Sequence, residues 1–76
     1  MPKTDDDNAL LRRLGDQLRR LREQSGQSQD TLANRCGLHR TYVGAVERGE
    51  RNPTVLSLAR YAAGLGLTVA DLVEGF

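Results

Sequence analysis

Residues Ser28–Gly49, SQDTLANRCGLHRTYVGAVERG, hold a glycine between two short stretches of helical character. Glycine inside a helix costs about 1 kcal/mol relative to alanine. A helix that only crossed polar surface would not carry Gly37 at its middle, so the break must serve the structure. Ser28 is a good N-cap, Leu32, Ala33 and Cys36 share one face behind it, and Gly37 can end the helix in a left-handed turn. A second helix starting at Leu38 or His39 sets Val43 and Val46 inward. Arg40, Thr41, Gly44 and Ala45 lie toward its other side, and Gly49 ends it. Two short helices joined by a tight glycine-bearing turn make a helix-turn-helix.

Upstream, Leu10, Leu11, Leu14, Leu18 and Leu21 recur at helical spacing before Gly26, predicting a first helix over about 8 to 25. Residues 1–7, MPKTDDD, read as a flexible N-terminal tail whose last residue, Asp7, caps that helix; residues 8–76 then form the domain. Downstream, Thr54 caps a fourth helix with Val55, Leu58, Ala62 and Leu65 at core spacing, and Gly66 ends it. Thr68 caps a last helix from Val69 to about Glu74. No stretch alternates apolar and polar residues as a half-buried strand does. The expected fold is an all-α, compact five-helix bundle containing the helix-turn-helix.

A chain of 76 residues suits one domain with a marginal core. Cys36 is alone, so no internal disulfide staples it; with no signal-peptide pattern, this points to a reducing, cytoplasmic setting. The most apolar run, VLSLARYAAGLGLTVADLV, is broken by Arg60 and Asp71 and does not read as a membrane span. Net charge is only +1, but Asn8 to Pro53 carries nine arginines against five acids, and none of those cations is lysine. Arginine suits planar, bidentate contacts to phosphate or guanine.

The first helix of the pair packs across the second and leaves one side of the second free to project. A helix of that kind fits the DNA major groove, where arginine pairs with guanine O6 and N7 and apolar atoms meet the thymine methyl. Arg40, Thr41 and Ala45 have the side chains for this. At these residues the chain resembles the Cro and phage-repressor-like helix-turn-helix proteins, the XRE family, whose fold is the lambda-repressor-like DNA-binding domain. The resemblance runs from about Leu14 to Leu72 through LRRLREQSGQSQDTLA, CGL, VERGERNP and LARYAAGLGLTVADL. GLHRTYVGAVERGERN is most similar to the controller proteins of restriction–modification operons.

The resemblance implies a transcriptional regulator acting as a homodimer on an inverted-repeat site in double-stranded DNA. It assigns base reading to Arg40, Thr41, Tyr42 and Ala45, with Ala45 limited to an apolar contact. Phosphate binding falls to Ser28, Gln29, His39, Arg48, Arg51 and Asn52. It further implies a partly buried ion pair between Arg22 and Glu47, where the bare sequence would allow two solvated charges. Activation would need a patch touching RNA polymerase, for which Asp30, Glu50 and Glu74 are the acidic candidates.

Other features carry less. Cys36 and His39 have C-x-x-H spacing, but a structural zinc needs about four ligands and no further ones stand out, so Cys36 reads as core and no metal or cofactor is expected. Arg12, Arg13, Arg19 and Arg20 alternate with Asp16 and Glu23 as a solvated helix face does. Tyr42 reads as either core or DNA contact. Leu56, Val69, Val73 and Phe76 remain after the core is filled and predict an apolar partner surface, used by a homodimer whose recognition helices lie about 34 Å apart. The rival is an antitoxin-like or assembly module that binds protein through this surface. No nucleophile with base, paired carboxylates or phosphate-cradling loop suggests an enzyme.

Overall fold

The computed structural model of the protein describes residues 2–76. Five helices follow one another: α1 (Asp5–Gln24), α2 (Gln29–Cys36), α3 (Arg40–Glu47), α4 (Val55–Leu65) and α5 (Val69–Leu72). No strand occurs among the described residues. α2 packs against both α3 and α4, while α1 lies across α3 and reaches α5. The core they enclose contains Leu18, Leu32, Ala33, Cys36, Val43, Val46, Tyr61, Ala62 and Leu72. Full burial of each large aliphatic side chain among them stabilises the fold by about 1.5–3 kcal/mol.

Local signals set the helix ends. Ser28, Thr54 and Thr68 each accept a hydrogen bond from the backbone amide three residues on, as N-caps do. Gly37 has φ 71° and ψ 27°, the left-handed conformation that lets α2 stop and the chain turn into α3. α1 differs from expectation at its start. Thr4, not Asp7, is its N-cap, and Thr4 and Asp7 form a reciprocal capping box that winds Asp5 and Asp6 into the first turn. Three acids there also suit the positive end of the helix dipole. The first helix therefore begins at Asp5 and not near Asn8.

α1 comes unusually close to the end of α3 at Gly15. A β-carbon on Gly15 would sit 2.7 Å from the Val46 carbonyl oxygen and closer still to that of Glu47. Gly49, with φ 76°, likewise rests on the Arg12 backbone. Two glycines thus let the long helix clamp the C-terminal end of α3.

Several residues face differently from the expected pattern. Val55 is 76% exposed, and Tyr61 takes the core position instead. Leu10 also points outward. Gly44 does not lie on the open side of α3; it is buried beneath the Gln29 and Arg48 side chains. The C-terminal residues fold back onto α1. Gln17 Nε2 donates to the Leu72 carbonyl at 2.7 Å and the Glu74 carbonyl at 3.0 Å, and the Arg13 guanidinium lies 4.4 Å from the centre of the Phe76 ring.

Candidate nucleic-acid interface

The orientation of α3 rests on a buried charge. Arg22 near the end of α1 forms a forked pair with Glu47, the last residue of α3: Nε to Oε2 at 2.8 Å and Nη2 to Oε1 at 2.9 Å. Both residues are buried. Arg22 Nη1 also donates to the Gln27 carbonyl, so every nitrogen of the guanidinium has a hydrogen-bond acceptor. The Tyr61 hydroxyl lies 2.6 Å from Glu47 Oε2 and 3.0 Å from the Leu18 carbonyl oxygen, sharing its one proton between them. Gln29 Nε2 donates to Glu47 Oε1 at 3.1 Å. One carboxylate thereby ties α3 to the other three long elements of the bundle.

Burial alone would push the Glu47 carboxyl up; the hydrogen bonds from Arg22, Tyr61 and Gln29, with the Arg22 charge, outweigh it and hold it below the usual glutamate range. Arg22 is held above its ordinary value, first by its hydrogen bonds to Glu47 and against the cost of burial. The Tyr61 hydroxyl is pushed well up by burial and by the adjacent carboxylate. The cluster therefore holds one cation, one anion and a neutral phenol at neutral pH.

The outward side of α2 and α3 is exposed and polar. Arg40, at the first turn of α3, and Thr41 are both exposed, and Ala45 is half-buried beside them. A groove of about 720 Å³ between α3 and the N-terminal half of α4 is lined by His39, Thr41, Tyr42, Ala45, Arg51 and Arg60, with Thr54 and Ser57 on the α4 side. No acidic residue lines it. His39 is the N-cap of α3 but makes no side-chain cap hydrogen bond.

The expected contact residues do not all gather here. Arg40, Thr41, Ala45, Ser28 and Gln29 lie on the α2–α3 unit, and His39, Thr41 and Arg51 on the groove. Asn52 lines a separate hollow with Pro2, Lys3, Asp7, Leu10 and Leu11, away from that groove. Tyr42 is half-buried; its hydroxyl donates to Ser57 Oγ at 3.2 Å, and its ring stands 5.9 Å from the Arg51 guanidinium. It is a groove wall joining α3 to α4 as much as a surface for a base. The Gln29 side chain is turned inward to Glu47, leaving the backbone amides at the start of α2 as that residue's outward donors. Arg48 forms a forked pair with Glu50, Nε to Oε2 at 2.9 Å and Nη2 to Oε1 at 3.1 Å, with both side chains exposed. Arg40 Nε is 3.1 Å from Asp30 Oδ1.

The apolar partner surface is divided. Leu56 is exposed beside Val55, whereas Val73 packs against the core, Val69 is half-buried and Phe76 lies against Arg13. The sequence reading missed Tyr61 and Arg60. Tyr61 was there to be found, since Leu58, Tyr61, Ala62 and Leu65 keep helical i, i+3, i+4, i+7 spacing. Arg60 had no such signal, because only the packing of α4 brings it to the groove. Among the described residues no cluster of side chains could hold a metal ion, and no helix is long and apolar enough to cross a membrane.

A capped helix, a left-handed glycine and a second helix pinned through its last residue define a helix-turn-helix protein. The family profile described as "Helix-turn-helix domain" matches residues 13–74. The chain belongs to this helix-turn-helix family. Control protein C.MunI of Mycoplasma sp is 38% identical over 66 residues, covering 86% of this chain and 89% of that protein. Control protein C.SmaI of Serratia marcescens is 43% identical over 60 residues, covering 79% and 71%. The crystal structure of the restriction-modification controller protein C.AhdI from Aeromonas hydrophila superposes with a TM-score of 0.82 at 44% identity, over 84% of this chain and 97% of that one.

Proposed function

We propose that the protein is a sequence-specific double-stranded DNA-binding regulator of transcription, of the controller type, working as a homodimer on an inverted repeat in the bacterial cytoplasm. The observation that carries this reading is the exposed N-terminal half of α3, with Arg40 and Thr41, beside an acid-free groove edged by Arg51 and Arg60. Arg40 and Thr41 read bases, and Ala45 offers a methyl to a thymine. The starts of α2 and α3, at Ser28, Gln29 and His39, with Arg51 and Arg48, contact phosphates. Arg48 has its Nη1–Nη2 edge open for this while Glu50 holds Nε and Nη2. Asn52 reaches the backbone from the α1 side, and Tyr42 shapes the groove wall.

Dimer formation uses the exposed Val55 and Leu56 at the start of α4, with half-buried Val69 and the exposed Phe76 as further members, whereas Val73 packs against the core. Activation through RNA polymerase would fall to Glu74, since Asp30 and Glu50 are engaged by arginines. A protein-binding module is the second reading, favoured by the exposed Val55–Leu56 pair and the net charge of +1.

Duplex binding followed across salt separates the two. Counterion release makes log K fall with log salt by about 0.9 per phosphate contacted. A steep slope with several phosphates per protomer is the expected result. A folded protein with no duplex binding, or with binding indifferent to salt, contradicts the DNA reading and favours the protein module.

A further inference from the structure

The two exposed arginine–carboxylate pairs on the recognition face are built differently. Glu50 takes Arg48 with both oxygens, through Nε and Nη2, so that side of the guanidinium is occupied and its Nη1–Nη2 edge stays open. Asp30 meets Arg40 at Nε alone, 3.1 Å from Oδ1, and no other acid among the described residues pairs with Arg40. Reading a guanine through O6 and N7 takes two N–H groups in a plane. With Asp30 beside Nε as an ion pair, the Nη1–Nη2 edge of Arg40 faces no acid.

Asp30 stands in the first turn of α2, and Arg40 is the first residue of α3. The pair therefore spans the two helices of the motif across the turn at Gly37. A carboxylate on a face that meets phosphates costs affinity for every duplex, because it repels the backbone. Its position is accounted for if it fixes a long side chain that would otherwise lose rotamer freedom on binding.

We propose that Asp30 is a specificity-determining positioning residue: it buttresses Arg40 so that the guanidinium edge meets guanine already oriented, exchanging overall affinity for discrimination. This rests on the DNA-binding reading above. Affinity and specificity then move in opposite directions when Asp30 is removed, which a simple surface charge does not produce.

The test uses the full chain and three duplexes of equal length: an operator recovered by selection, the same operator with the guanine pair read by Arg40 replaced by an A·T pair in both halves, and an unrelated sequence. The pair read by Arg40 is the one at which Arg40→Ala loses preference. Asp30→Ala and Asp30→Ser should bind the unrelated duplex more tightly than wild type, while preference for the operator over its substituted form drops by about fivefold or more per half-site. Asp30→Glu, which keeps the carboxylate, should retain the preference. Uniformly tighter binding with the preference intact in both Asp30→Ala and Asp30→Ser would overturn the proposal. A wild-type protein with no preference among the three duplexes would overturn the DNA reading itself, so the two failures are distinguishable.

Discussion

Two sets of arginine–carboxylate pairs in this small domain have nearly the same contact distances and opposite uses. Arg22 and Glu47 meet at 2.8 Å with side chains only 10% and 2% exposed, whereas Arg48 and Glu50 meet at 2.9 Å with both more than half exposed. Distance alone does not rank them. The buried pair has no water to replace a lost partner, so it fixes the position of α3 and would penalise any break. The exposed Arg48–Glu50 pair exchanges with solvent at little cost and can release its arginine to another anion. Rigidity and binding are thus served by the same two residue types at different depths.

The largest expected effect breaks the buried side of this comparison. Glu47→Ala leaves Arg22 charged, buried and unpaired, which costs about 3–5 kcal/mol, enough to unfold most of a marginal domain; chemical denaturation reads it directly. Replacing Arg22 and Glu47 together by apolar residues should recover much of the loss. A Glu47→Ala variant with unchanged denaturation would show that the pair does not fix α3. The same group sets an acid limit. The carboxyl is held below its ordinary value, so its contribution is fully present above about pH 4.3, the usual glutamate value, and is lost as pH falls through the lower folded value. Stability of wild type against pH should show this acid branch, and Glu47→Gln should flatten it.

Gly15→Ala sharpens the account of how α1 clamps α3. Alanine favours the helix by about 1 kcal/mol, but the new methyl meets backbone carbonyls that cannot swing aside, and overpacking of that sort costs about 1–3 kcal/mol. Net destabilisation is expected, and a raised melting temperature would contradict the close approach. On the exposed side the effects move from stability to binding. Arg40→Ala should leave the denaturation midpoint alone and cost about 1–3 kcal/mol on the operator, with preference relaxed at one base pair. Arg51→Ala should weaken all duplexes alike and lower the salt slope by about one. Smallest of all, Glu50→Gln should leave thermal melting unchanged and tighten duplex binding modestly by freeing Arg48.

Much of this was legible in the sequence because it is written in local chemistry. Ser28, Thr54, Thr68 and Gly37 announce helix ends through side chains that act within one turn. The Arg22–Glu47 pair was reached through the family resemblance, and the structure shows it with two further members, Tyr61 and Gln29. Apart from the local capping box of Thr4 and Asp7, what failed depended on packing between elements. Thr4 and Asp7 carried a capping signal that the run of aspartates obscured. Gly15, like Gly37, is a glycine in a stretch of helical character, but only the approach of α3 shows why no side chain fits there. Val55 and Tyr61 share a helix, and the spacing that groups Tyr61 with Leu58, Ala62 and Leu65 also admits Val55, so packing decides that Tyr61 is the buried one. Phe76 stays 46% exposed, but the Arg13 guanidinium against its ring was not legible, because Arg13 lies at the far end of the sequence.

The most direct test of the central claim is selection of bound duplexes from a random pool at near-physiological salt, followed by sequencing. The account predicts enrichment of an inverted repeat with half-sites about one helical turn apart, as two symmetric recognition helices require. A folded protein that enriches no sequence would contradict it, and the Val55–Leu56 surface would then be the place to seek a protein partner.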